Sequence, residues 1–230
     1  MVATMSFISL VSLAFLFSSG ADARQSKAPT TQKTTPTTFS SVTSQTSLGP
    51  TGTSIPTAAP IKWVHPGVFV EGPQLDFIAS KVQANEEPWS EAFSSMLADP
   101  LAAPSRSASP YATVVCGPTS TPNVGYYFER EDSMAAYMNA LAWWITKSTS
   151  YADKAIYYMD AWSSLIKCHS DSNAPLQTAW SAANWVRAGE IMRYSNSTWS
   201  PASITAFGVM LKNVYLPEII GGSTNNGNWS

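Results

Sequence analysis

The chain has 230 residues, 12% of them charged and 44% hydrophobic, with nine tryptophans; this excludes a wholly disordered polymer and implies a packed core rich in aromatics. A formal net charge of −2 without any basic run argues against nucleic acid as a partner. Two cysteines and two histidines are too few for a zinc framework or a disulfide scaffold, so no metal and no cofactor are expected.

Residues 1–23 read as a secretory signal peptide. The apolar run FISLVSLAFLF is followed by small residues and by Ala21-Asp22-Ala23, an A-x-A cleavage pattern. The run is short for a membrane span, so no membrane association is expected after cleavage and the mature protein is expected outside the cell. Residues 24–60 are dominated by Ser, Thr and Pro and hold no acidic residue. Such a composition cannot bury enough apolar surface to offset the entropy of ordering it, and it reads as an O-glycosylated linker.

The globular part starts near Ile61 with KWVHPGVFV, an extended segment with a turn at Pro66-Gly67. Helices follow. Pro73 can open one over 74–83, and Pro88 one over 89–98 that Pro100 and Pro104 stop. Residues 99–125, rich in Pro, Ser, Gly and Thr, are expected to form a long loop of the kind that often carries function. Met134, Tyr137, Met138, Leu141 and Ile145 then recur at helical spacing, as do Ala155, Ile156, Met159, Trp162 and Ile166 after an N-cap at Ser150. Ser200-Pro201 opens a last helix, expected to end near Tyr215 before Pro217. With no alternating strands of any length, the expected class is all-α, built from antiparallel helical hairpins.

Between these lies SNAPLQTAWSAANWVRAGE, Ser172–Glu190, the stretch with the most chemistry in it. Asn173 is a natural N-cap, and Pro175 suits the first turn of a helix over 175–194. At 3.6 residues per turn, Asn173, Gln177, Trp180 and Arg187 lie near one face. Amides bond sugar hydroxyls, an indole covers an apolar sugar face, and a guanidinium forks onto a carboxylate. The same helix read without function is a core helix carrying tryptophans and a structural arginine.

Smaller features complete the reading. Cys116 and Cys168 could pair in an oxidising compartment or stay free. Asn196-Ser197-Thr198 is an N-glycosylation acceptor in a helix–helix loop. His65 is expected to serve a turn, whereas His169 either reaches the cleft or caps a helix. Tyr126 and Tyr127 are candidate proton carriers or rim aromatics. Glu129, Glu131 and Asp132 are expected at the start of a helix, complementing its N-terminus.

HPGVFV, the helix AAYMNALAWWITKSTSYADKAIYYMDAWSS, SNAPLQTAW, NVYLPEI and NGNW occur in one order. Together they resemble the fungal secreted alginate lyase-domain proteins of the chondroitin AC/alginate lyase superfamily, over residues 61–230. The resemblance implies part of an (α/α) toroid that cleaves a uronate-containing polysaccharide, of alginate or glucuronan type, by β-elimination. Loss of the C5 proton places negative charge on the sugar carboxylate, so a donor must neutralise it. A tyrosine or histidine takes the proton and a tyrosine returns one to O4.

In such lyases an asparagine beside an aromatic residue is the neutraliser. The matching loop is Asn225-Asn226-Gly227-Asn228-Trp229, with Asn228 the first candidate, Asn226 the second, and Trp229 a sugar platform. The chain stops directly after this motif, where the base and acid would normally follow, so an incomplete C-terminus and weak turnover are expected. The partner implied is a polyuronate bound by a monomer. Two rivals are a non-catalytic carbohydrate-binding fragment and an (α/α) glycoside hydrolase, which needs two carboxylates across one bond.

Overall fold

The computed structural model describes residues 62–117, 123–195 and 198–222. The secretory segment, the Ser/Thr/Pro-rich tract, Asn196 and the loop bearing Asn226, Asn228 and Trp229 all lie outside the described residues. The fold is mostly helical, as expected. In chain order it has α1 (Gly72–Gln83), α2 (Trp89–Ala98), a 3₁₀ turn (Pro100–Ala102), β1 (Thr113–Val115), α3 (Tyr126–Thr146) and α4 (Thr149–Leu165). There follow β2 (Cys168–Ser170), α5 (Ala174–Ser195), α6 (Pro201–Met210), a π-helical segment (Leu211–Tyr215) and α7 (Leu216–Gly222).

Helices α3 and α5 form the centre, and they run parallel. Gln177 donates to the Tyr126 carbonyl, Asn184 to Ser133 Oγ, and Trp143 Nε1 to Ser195 Oγ. The pairs are 51, 51 and 52 residues apart in sequence, a constant offset that only parallel helices give. Helix α4 returns antiparallel behind α3. The turn between them is two residues, Lys147 in the left-handed region with its N–H on the Trp143 carbonyl, and Ser148 as the N-cap in place of Ser150. Helix α6 packs on α4, where Asp160 accepts from Trp199 Nε1 (2.9 Å) and Ser203 Oγ (3.0 Å). From α6 to α7 the chain runs antiparallel to α5, since Phe207 lies against Gly189 and Pro175 against Gly222.

The core sits between these layers. Trp162, Trp185, Tyr158, Met159, Ile191, Met192, Phe207 and Tyr215 are closed from solvent, and Ala135, Ala136, Ala140, Ala152, Ala155 and Ala188 let the helix axes approach around them. A smaller cluster of Met96, Ala102, Met138 and Ala142 docks α2 on α3.

Three expectations are corrected. The long loop is anchored at Asp132, which is fully buried, pairs with Arg106 and accepts from the Ser109 N–H (2.8 Å) and Trp162 Nε1 (2.7 Å). Asp132 is therefore an interior group rather than a helix-start charge, whereas Glu129 does stand in the first turn of α3, buried. Short strands were not foreseen, yet β1 and β2 pair in parallel with Thr113 opposite Cys168 and Val114 opposite His169. That register leaves Cys116 three residues beyond Cys168's partner, about 10 Å along the strand and past disulfide reach; both thiols are free.

The third concerns Pro217, which does not stop the last helix. Proline lacks an N–H and its ring crowds the carbonyl four residues back. A wider turn precedes it, with the Leu216 N–H reaching the Leu211 carbonyl, and the helix continues to Gly222.

Candidate functional site

The α3–α5 pair has two sides. Asp132 and Asn139 of α3 and Trp185 and Gly189 of α5 lie toward α4 and α6 or within the pair's interior. On the opposite side, at about 100° per residue, Trp180 and Arg187 of α5 fall within about 20° of each other, and so do Arg130 and Tyr137 of α3. The two stripes meet. The Arg187 guanidinium carbon lies 5.7 Å from the Tyr137 ring centre across the seam and 4.5 Å from that of Phe69, which the segment before α1 lays over it. Toward the N-terminal end of α3, Arg130 covers both Tyr126 and Tyr127 at 5.6 Å, and the two tyrosine rings lie 4.2 Å apart. Trp180 is 50% exposed and Tyr127 54%, so the face is open at this end.

Glu129 fixes that end from beneath. It stands one turn into α3, whose N-cap Gly125 has φ +72°; a Cβ there would meet the Tyr111 ring at 2.8 Å, so glycine is required twice over. The Glu129 carboxylate is fully buried. Its Oε1 accepts from the Tyr215 hydroxyl at 2.6 Å and lies 2.6 Å from His169 Nε2. Gln177 Nε2 points to Oε2 at 3.5 Å, to Ser181 Oγ at 3.0 Å and to the Tyr126 carbonyl. Trp185 Nε1 in turn donates to the Tyr215 oxygen at 3.1 Å. Four elements are thereby tied at one carboxylate: α3, β2, α5 and the π-helical segment. His169 Nε2 is the ring nitrogen that faces the carboxylate, and Nδ1 is buried without a partner. Burial and then the neighbouring Glu129 charge push the Tyr215 hydroxyl well above its ordinary pKa, so it stays a donor.

The predicted site residues divide accordingly. Trp180 and Arg187 share the open face, as their spacing implied. Gln177 does not join them: it is 1% exposed and turned onto α3. His169 is 8% exposed, neither on the cleft nor capping a helix, and its ring packs edge-on against Tyr215 at 4.9 Å. Asn173 is half-buried, its N–H on the Cys116 carbonyl and its own carbonyl accepting from Gln177 N–H, as an N-cap residue does. His65 bonds Glu190 at 2.8 Å and stacks on Tyr194.

Sequence reading passed over Arg130 and Tyr215. Arg130 was legible as a cation three and four residues after two tyrosines, the spacing at which side chains meet on a helix. Tyr215 was not, because a π turn breaks the 3.6-residue count.

A concavity of about 230 Å³ lies on the far side of α5, between Val186, Gly189, Trp199, Phe207 and Leu211, with Glu190 and Arg193 at its rim. Among the described residues no group of three or more His, Cys, Asp or Glu side chains is placed to hold a metal ion, and no helix is long and apolar enough to cross a membrane. No family model matches this chain, and comparison with curated proteins and with solved structures found no match either.

Proposed function

We propose that this chain is a secreted polysaccharide lyase that cleaves a uronate-containing polysaccharide, of alginate or glucuronan type, by β-elimination. The observation that carries this reading is the open α3–α5 face, which bears Trp180 and the ring-packed guanidiniums of Arg187 and Arg130. An aromatic plane with planar cations suits a sugar chain bearing carboxylates better than a neutral glycan. The layering supports the toroid part of the proposal: inner helices α3 and α5 run parallel, with α4 and α6 returning behind them.

In this proposal the polymer lies along the open face with an apolar sugar side on Trp180. Asn228, with Asn226 second, neutralises the reacting carboxylate and Trp229 adds a platform. The proton transfer is assigned to Tyr127, which is exposed at the open end of the face and hydrogen-bonded to Tyr126. It would carry the proton from C5 to O4; the C5–H electrons form the C4=C5 double bond as the C4–O4 bond breaks, and the proton taken from C5 is returned to the departing O4. Burial removes His169 and Gln177 from sugar contact.

Incubation of the secreted protein with alginate and with glucuronan tests this, read by the ultraviolet absorbance of unsaturated chain ends. New reducing ends without that absorbance would favour the hydrolase reading. Binding without either product would favour a carbohydrate-binding module, a reading helped by the burial of His169, which takes a candidate proton carrier out of reach.

A further inference from the structure

We propose that Arg130 and Arg187 form a two-step carboxylate ladder that grips alternate uronates of the bound chain, and this rests on the polyuronate reading above. Arg106, on the other side of α3, pairs with Asp132 and Glu131. Arg130 and Arg187 have no ion-pair partner among the described residues. Instead each guanidinium lies against two aromatic rings, Tyr126 and Tyr127 for one, Phe69 and Tyr137 for the other. A cation–ring contact holds the guanidinium without using its N–H groups, which remain for a carboxylate. The Arg187 Nε is buried without a partner, so a carboxylate arriving from solvent would meet the terminal N–H groups of that guanidinium.

The spacing gives the selectivity. The constant offset between α3 and α5 puts Arg130 level with Ser181, six residues before Arg187, so the backbone positions that carry the two cations are about 9 Å apart along the seam at 1.5 Å per residue. That is close to the span of two sugar units in an extended 1→4-linked chain, in which successive carboxylates point to opposite sides and alternate ones face the same way. Trp180 lies on the level of Glu129, beside the first step, where it covers the sugar held by Arg130. Residues 61–230 hold ten Lys/Arg against fourteen Asp/Glu, so the face owes its preference for anions to local placement and not to net charge.

Calorimetric titration with oligouronates of two to six units, and with a carboxyl-reduced hexamer, tests the ladder. Affinity should rise steeply between two and three units and be lost for the reduced hexamer. Arg130→Gln and Arg187→Gln should each weaken hexamer binding about ten- to a hundredfold, the scale of one lost charge-assisted bond. Lys212→Gln, on the outer layer, should bind like the parent. Arg130→Lys and Arg187→Lys keep the charge without the fork; with a parent-like melt and intermediate affinity they show that the loss is not a folding defect.

Equal binding of the reduced hexamer, or parent-like affinity in both Gln variants, overturns the ladder. Unsaturated-end formation is followed in parallel. Retained lyase activity with either of those outcomes leaves the reaction standing and removes the ladder; ladder behaviour without unsaturated product does the reverse.

Discussion

Trp180 and Gln177 lie within one turn of each other on α5, yet the first is half exposed and the second closed against α3. Their substitutions should therefore separate. Trp180→Ala should leave the thermal midpoint nearly unchanged and weaken oligouronate binding by roughly tenfold, as loss of an aromatic anchor does. Gln177→Ala strips a donor from Glu129 and Ser181 and should cost about 1–3 kcal/mol, or about 2–4 °C of midpoint for each kcal/mol in a domain of this size. Paired melts and titrations of the two variants check this; a binding defect in Gln177→Ala with an unchanged melt would return that amide to the sugar face. At this scale the sequence was half legible. Helical spacing put residues 177, 180 and 187 on one broad side, but about 60° and 80° separate the buried Gln177 from Trp180 and Arg187 on the open face. Only the position of the neighbouring helix decides on which side of that division a residue falls.

At the scale of elements, most helices were readable because proline, N-cap residues and apolar periodicity all agreed; α2 and α5 occur within a residue of expectation. What was not readable depends on contacts distant in sequence. The strands β1 and β2 are three residues each and exist through their pairing. The helix through Pro217 continues because a π turn absorbs the ring. The α5–α6 contact offers a controlled test of packing. A Cβ on Gly189 would stand 2.8 Å from Phe207, whose ring Trp185 and Trp199 already hold edge-on, whereas one on Gly208 would meet nothing within 4 Å. Helix propensity alone favours alanine at both by up to about 1 kcal/mol. Overpacking reverses the sign at Gly189, by about 1–3 kcal/mol. Chemical denaturation should thus find Gly208→Ala more stable than the parent and Gly189→Ala less stable.

For the molecule as a whole, stability should fall on the alkaline side. Burial raises the hydroxyl pKa of Tyr215 well above its ordinary value of 10.0, and that of Tyr137 and Tyr158 in the same direction. The unfolded chain then loses these protons at a lower pH than the folded one. The contribution is fully present below about pH 10 and is lost as pH rises beyond it toward the folded values. Tyr215→Phe should lower stability at neutral pH, since Glu129 loses a donor, and should flatten the alkaline decline; an unchanged alkaline slope would assign the decline to other groups. The parallel course of α3 and α5 has a consequence for the field around the molecule. Peptide dipoles in both helices add in the same sense, so each N-terminus, at Tyr126 and at Ala174, contributes about half a positive charge at the same end of the open face. Buried Glu129 answers part of that charge from within. A polyanion arriving from solvent would meet the remainder before it touched a side chain. It would be drawn to the Arg130 end first, and its capture rate would fall as salt screens that end.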